Sequence, residues 1–311
     1  MAACCSVKRN RIMDFICTLC PRNCKAHRTD NSGIGVCKAP ALPRIARAAL
    51  HLWEEPPISG THGSGTVFFS GCSLKCVYCQ NYAISHAEDG MPFGKTISVE
   101  ALHQIFLNLE AQGAHNINLV NPTHYAHVIE EVLTKYPKPS IPIVYNTGGY
   151  DKVETLKRLD GLIDIYLTDL KYTDTKLASD LSHAPDYFPV AAAAIDEMIR
   201  QTGPCTFDAD GIMQKGVIVR HLVLPGLIGK SIDTLTWCRD NLPDGVKLSV
   251  MSQYTPCGDT GKYLSLKRRL KQSEYDRIID FLLSNGMDDC YIQELSSAKE
   301  EYIPPFDLEG V

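Results

Sequence analysis

The chain has 311 residues, 44% of them hydrophobic and 22% charged, with a formal charge of −5; these values suit one large α/β domain with an appendage and exclude a low-complexity or globally disordered chain. Its 13 cysteines are an odd number and too sparse for a disulfide-stapled secreted domain, and their clustering points to a reducing compartment and to metal. No apolar run approaches the roughly 18 residues that a membrane span needs. A cytoplasmic location is expected. The start, "MAACCSVKRNRIMDF", leaves an organelle matrix open, because Lys8, Arg9 and Arg11 precede the first acid, Asp14. Cys4 and Cys5 are acylation candidates, with a flexible terminus as the simpler reading. Residues 1–60 carry nine Lys/Arg against four acids, a balance of +5 that leaves −10 for the remainder. Without aromatic interleaving or a basic helix, no nucleic-acid partner is expected from that patch.

In chain order, a cysteine-rich segment (1–61) precedes a regular alternation of short β-rich runs and helical patterns (62–295), and a tail (296–311) follows. "TVFFS" (66–70) reads as a buried strand. A cysteine loop follows, then a helix over 98–113 with Ser98 as N-cap and Gly113 as its stop. "NINLVN" (116–121), a helix from about Tyr125 to Tyr136, "IPIVYN" (141–146), a helix over 151–160 and "DIYLTDLKY" (164–172) continue the rhythm. A long helical region (173–202), "GVIVRHLVLPG" (216–226), a helix over 231–241, "VKLSVMSQY" (246–254), a helix over 272–285 and a short "CYIQEL" (290–295) complete it. Such alternation implies parallel strands joined by right-handed crossovers. A partial (β/α)6-type TIM-like barrel with an N-terminal cysteine-rich metal-binding segment is the leading architecture, and a doubly wound sheet is the alternative. Polar groups at successive strand ends favour the barrel: Cys72, Asn121 and Thr123, Asn146, Asp169 and Lys171, then Gln253.

The loop "GCSLKCVYCQNY" sets Cys72, Cys76 and Cys79 in a C-x3-C-x2-C spacing with Tyr78 before the third cysteine. Three thiolates hold three irons of a [4Fe–4S] cube and leave the fourth iron open to a small-molecule ligand. A closed zinc site would want a fourth ligand. This motif after a first strand resembles that of the radical S-adenosylmethionine (SAM) superfamily, over about residues 62–295. The resemblance implies a SAM-linked [4Fe–4S] cluster at Cys72, Cys76 and Cys79, reductive cleavage of SAM to a 5′-deoxyadenosyl radical, and hydrogen abstraction from a substrate. It also implies Tyr78 beside the adenine, and Asp169, Lys171 and Arg220, in "TDLKY" and "RHLVLPG", around the cofactor as in glycyl-radical activating enzymes. Where many members carry Gly-Gly-Glu after the second strand, this chain has "VNPTHY" (120–125), so Asn121 and Thr123 are expected to supply acceptors, with Asn146 nearby. His124 and His127 are placed either at the barrel mouth or in solvent.

The leader "CTLCPRNCKAHRTDNSGIGVC" spaces Cys17, Cys20, Cys24 and Cys37 as C-x2-C-x3-C-x12-C, with His27 as an alternative ligand. Four thiolates on tight turns can close around zinc or an auxiliary iron–sulfur cluster, and the spacing does not choose between them. Together with "NPTH", "NTGGY", "DLKY" and "QYTP", this leader is similar to the PflX-like branch, related to pyruvate formate-lyase activating enzymes. That likeness implies a glycine of a partner glycyl-radical enzyme as the target, and a reductant protein such as flavodoxin or ferredoxin. Modification of a small molecule or RNA, or a silent iron–sulfur or zinc interaction protein, are the alternatives. Cys205, Cys257 and Cys290 are scattered, and Cys238 falls in a helical apolar pattern that reads as core.

Overall fold

The computed structural model describes residues 13–87, 90–258, 260–295 and 304–311. Cys4 and Cys5, read as acylation candidates, lie outside the described residues.

The leader forms a small antiparallel sheet of β1 (Asp14–Ile16), β2 (His27–Thr29) and β3 (Ser32–Gly33). The main sheet begins with β4 (Arg44–His51) and runs through β5 (Ser64–Phe69), β6 (Lys95–Thr96), β7 (Ile117–Val120), β8 (Ile143–Thr147) and β9 (Ile165–Asp169). A short β10 (Thr206–Phe207) pairs with β11 (Met213–Leu222), and β12 (Lys247–Met251) and β13 (Cys290–Ile292) follow. The order is β13-β12-β11-β9-β8-β7-β5-β4-β6. Every pair from β5 to β13 along that path is parallel, and β4 is antiparallel to both β5 and β6.

Crossover helices are α3 (Val99–Ala111), α4 (Ala126–Lys135), α5 (Val153–Lys157), α6 (Thr175–Ser182), α7 (Tyr187–Thr202), α8 (Ile228–Asn241) and α9 (Gln272–Ser284); two four-residue turns, α1 (Pro56–Ser59) and α2 (Tyr82–Ser85), precede them. Ser98 caps α3 by accepting from the Ala101 N–H at 3.1 Å, as its sequence position predicts. The long helical pattern over 173–202 is broken in two, because His183 sits in the left-handed region at φ 51° and closes α6. The helix expected from Tyr125 begins instead with a 3-10 turn, Thr123–Tyr125.

The sheet is curled into an open arc. Glu54 bonds Asn118 on β7 and Arg220 on β11 with one carboxylate, although three strand spacings of about 4.8 Å separate those strands on a flat sheet. The arc's floor is closed by the 52–60 segment: Ile58 packs with Val144, Ile165, Leu167 and Ile218 inside the curl. The larger core lies between the sheet's outer face and the helices. The sheet thus reaches back to Arg44, ahead of the boundary at 62 that the sequence suggests, because β4 covers the edge of β5. The tail extends this cover: Ala48 N–H donates to Glu309 O at 2.8 Å and Leu308 N–H to Ala46 O at 3.1 Å.

Candidate active site

The three-cysteine loop leaves the end of β5 and is held from several sides. Gly71, at φ +91°, lies where a Cβ would come within 2.6 Å of the Cys37 carbonyl, so only glycine fits. Arg22 of the leader donates Nε to Ser73 O at 2.7 Å and a terminal nitrogen to Ser182 O at 3.1 Å, and also bonds His183 O. Val77 N–H donates to Leu181 O at 2.9 Å, and Gln80 Nε2 to Gln253 O at 3.0 Å. The loop is therefore clamped by the leader, by α6 and by the segment after β12.

Cys76 is buried, and Cys72 and Cys79 are half-buried. Burial pushes the Cys72 thiol up to about 11 and Cys79 up to about 12, with the neighbouring cysteines adding repulsion. Cys76 is raised by burial and drawn back by Lys171. Such thiols wait protonated, and a metal binds by displacing their protons. Among the described residues no three His, Cys, Asp or Glu side chains are arranged around a single ion. A cube asks for something else, since each thiolate binds its own iron. Three soft donors on one loop, with Lys75 near Cys72 and Lys171 near Cys76 to offset negative charge, fit that group.

The thiols open on a cavity of about 150 Å³ that is also lined by Asn121, Asn146, Asp169, Lys171 and Arg220. An adjoining cavity of about 220 Å³ shares Cys76, Asn146, Asp169, Lys171 and Arg220 and adds Glu54, Tyr78 and Gln253. Between them runs an ion network. Asp169 accepts from Lys171 Nζ at 2.6 Å and Arg220 Nε at 2.9 Å. Arg220 also donates to Asn146 Oδ1 at 2.8 Å and Glu54 Oε2 at 3.2 Å. Asn118 and Asn146 donate to Glu54 Oε1 at 3.2 and 3.1 Å. Glu55 Oε2 stands 3.8 Å from Arg220 and has no hydrogen-bond partner among the described residues.

Three carboxyls thus face two cations. Burial alone would raise Asp169, but Arg220 and Lys171 more than offset it and hold it below the ordinary carboxylate range. Burial raises Glu54 and Glu55 despite Arg220, so these two carboxyls, unlike Asp169, are shifted toward the protonated form. Neither glutamate stands out in the sequence reading. The signal available was adjacent acids in "WEEPP", within an otherwise basic segment and just ahead of the floor.

The structure brings together Cys72, Cys76, Cys79, Tyr78, Asn121, Asn146, Asp169, Lys171 and Arg220. Asn121 takes φ 53° and lines the same cavity as Cys72. Thr123 is not part of this lining: it is buried and its hydroxyl meets Thr147 Oγ1 at 3.2 Å. The Tyr78 hydroxyl bonds that of Tyr172. His124 and His127 are neither at the mouth nor in solvent. They sit under the leader, where their Nε2 atoms donate to Ser70 O at 2.8 Å and Ala41 O at 2.9 Å. Burial, then Arg28, pushes both down to about 3, so both are neutral.

In the leader, Cys17, Cys20 and Cys37 are buried and Cys24 is exposed. Burial pushes Cys20 up to about 12, and repulsion from Cys37, Cys17 and Cys24 adds to it. His27 is engaged by Asp14 at 2.5 Å.

Residues 66–208 match the family described as the Radical SAM superfamily. The chain is 28% identical over 283 residues, 88% of its length and 76% of the relative's, to the uncharacterized protein MJ0674 of Methanocaldococcus jannaschii. Among solved structures, Streptococcus suis SuiB bound to precursor peptide SuiA aligns at TM-score 0.49 and 16% identity, over 74% of this chain and 49% of that one. HydG, a maturase of the [FeFe]-hydrogenase, aligns at TM-score 0.48 and 14% identity, over 77% of this chain and 54% of that one. The chain spans about half the length of these two structures. The family matched implies a [4Fe–4S] cluster and SAM. The stretch similar to the radical SAM superfamily, residues 66–208, holds the three-cysteine loop, Asn146, Asp169 and Lys171.

Proposed function

We propose that the protein is a radical SAM enzyme whose cluster is held by Cys72, Cys76 and Cys79 and whose target is a glycine of a partner polypeptide. The observation that carries this reading is the joining of the three thiols to Asp169, Lys171 and Arg220 in one pair of adjoining cavities. When bound, the cluster and SAM supply a one-electron cleavage that yields a 5′-deoxyadenosyl radical. The chain's own residues bind and orient. Lys171 offers a cation to the cofactor's carboxylate, while Asp169 and Asn146 offer acceptors to its amine or ribose hydroxyls. Arg220, fixed by Asp169, Asn146 and Glu54, keeps that wall rigid. Tyr78, buried with its hydroxyl on Tyr172, presents its backbone to the adenine.

A polypeptide target is supported by the cavity's lining, where Trp53 is exposed beside Glu54; an exposed apolar group at an opening suits a protein partner. A reductant protein such as flavodoxin or ferredoxin is the proposed electron source. The same reading includes a second thiolate-bound group, zinc or iron–sulfur, on Cys17, Cys20, Cys24 and Cys37. The test is anaerobic pull-down under reducing conditions, followed by electron paramagnetic resonance for a glycyl radical on any captured enzyme after SAM and reductant are added. A radical on the partner is expected. Capture of a partner that stays radical-free while 5′-deoxyadenosine accumulates would overturn the glycine target.

A further inference from the structure

The loop after β12 carries a charge pattern that SAM binding does not use. Residues 260–273 hold five Lys/Arg and no acid, in a chain whose net charge is −5. This loop is fixed against the three-cysteine loop. Gly258, at φ +65°, closes on the Val77 carbonyl, where a Cβ would collide with the oxygen, so only glycine fits. The Tyr254 ring lies 6.2 Å from that of Tyr78, and its hydroxyl donates to Leu266 O at 2.6 Å. Tyr263 donates to Asp180 Oδ2 on α6 at 2.8 Å, and Lys262 pairs with the same oxygen at 2.8 Å. Arg268 spans Glu274 with two bonds of 2.7 and 2.8 Å. What this scaffold presents outward is one apolar side chain with cations beside it. The 3-10 turn Leu264–Lys267 eclipses its first and fourth side chains, so Leu264, 70% exposed, shares a face with Lys267. Arg269 and Lys271 are exposed on either side of the buried Leu270. Among the described residues, no carboxylate pairs with Lys267, Arg269 or Lys271.

We propose that this face docks an acidic one-electron carrier protein, with Leu264 at the centre of the contact and Lys267, Arg269 and Lys271 on its rim. The proposal rests on the radical SAM reading above and adds where its electron enters. An apolar centre within a charged rim is the ordinary anatomy of a protein contact, and opposite charges steer the encounter. None of residues 260–271 lines either cavity. A target group must enter a cavity to react, whereas an electron needs only a short path through packed atoms, so the position suits a carrier and not the target. RNA fits less well, because Tyr263, the single aromatic residue of 260–273 and the ring available for stacking, is held by Asp180. The carrier gives up one electron and the group on Cys72, Cys76 and Cys79 takes it up, with no bond made or broken. The path runs from Leu266 through Tyr254 to Tyr78, which lies between Cys76 and Cys79 in the chain.

The experiment uses the full chain, reconstituted anaerobically with iron and sulfide, and takes an acidic [2Fe–2S] ferredoxin and a flavodoxin as probes. Binding is followed by surface plasmon resonance, and electron transfer by freeze-quench electron paramagnetic resonance. Lys267→Gln/Arg269→Gln/Lys271→Gln should bind the better probe about tenfold or more weakly at ~0.01 M salt, with a smaller gap at ~0.15 M, and should accept its electron correspondingly slowly. Leu264→Ser should weaken binding as well. Dithionite, a small reductant that needs no docking, should reduce the wild type and these variants alike. Lys152→Gln/Lys157→Gln/Lys215→Gln removes the same charge from elsewhere on the chain and should match the wild type. Equal binding by the Lys267, Arg269 and Lys271 variant, an equal loss in the control, or no binding of either probe overturns the proposal. So does a transfer RNA that binds through the same three residues more tightly than both probes. Docking that depends on the three cations, alongside no 5′-deoxyadenosine from dithionite-reduced, iron-loaded wild type, would sink the enzymatic reading and leave the docking face standing. Formation of 5′-deoxyadenosine with dithionite but no charge-dependent docking would sink the docking face alone.

Discussion

Arg220 makes hydrogen bonds to Asp169, Asn146 and Glu54 at once, and removing it leaves three carboxyls facing Lys171 alone. Arg220→Met should therefore destabilise the fold by roughly 3–5 kcal/mol, read from urea unfolding; a loss below about 1 kcal/mol would mean the network is solvated like a surface pair. Glu55 gives a pH-dependent test. Burial raises it above its ordinary 4.5, so as pH rises the unfolded chain releases this proton first while the folded chain still holds it. Folding then loses stability between the two values. Glu55→Gln removes that loss, and its urea midpoint should gain on the wild type as pH rises above the ordinary glutamate value of 4.5. Curves that stay parallel would contradict a retained proton. At this scale the sequence exposed the chemistry with short-range spacing: the three cysteines, the Asp169–Lys171 pair and an arginine within an apolar strand. It did not expose Glu54 and Glu55, whose role depends on a segment folding under the barrel, nor the burial of His124 and His127 beneath the leader.

Among the elements, the strand–helix rhythm was legible because each parallel strand is a short apolar run and each crossover keeps a helical period. Ser98 marked the start of α3 correctly. The break between α6 and α7 was not legible, since it turns on His183 adopting a left-handed conformation, which a non-glycine residue takes uncommonly even though histidine is among those enriched there. The break matters: it delivers the Ser182 and His183 carbonyls to Arg22 and the Ser182 hydroxyl to Cys76 at 3.0 Å. Arg22→Ala should unclamp leader, α6 and cysteine loop together. The expected result is faster amide exchange over 72–79 in hydrogen-exchange mass spectrometry, with α9 unchanged. Equal protection of the loop in both proteins would show that the clamp is dispensable.

For the molecule as a whole, the open arc of strands was anticipated by polar groups at strand ends, but its edge was not. β4 lies in a segment dominated by cysteines and basic residues, and the tail that extends its cover is more than 200 residues away in sequence. Arg47 pairs with Asp307 at 2.8 Å and with Glu309, so ending the chain at 303 should expose that edge. A lower melting temperature and greater self-association in light scattering are expected, and an unchanged melt would argue that the tail is incidental. We propose that the Cys72, Cys76 and Cys79 loop with its Asp169–Lys171–Arg220 wall cleaves SAM. It is tested most directly by reconstituting the chain anaerobically with iron and sulfide, reducing it, adding SAM and measuring 5′-deoxyadenosine. It should form with the wild type and be absent from Cys76→Ala; no product from a fully iron-loaded wild type, or equal product from the variant, would overturn that role.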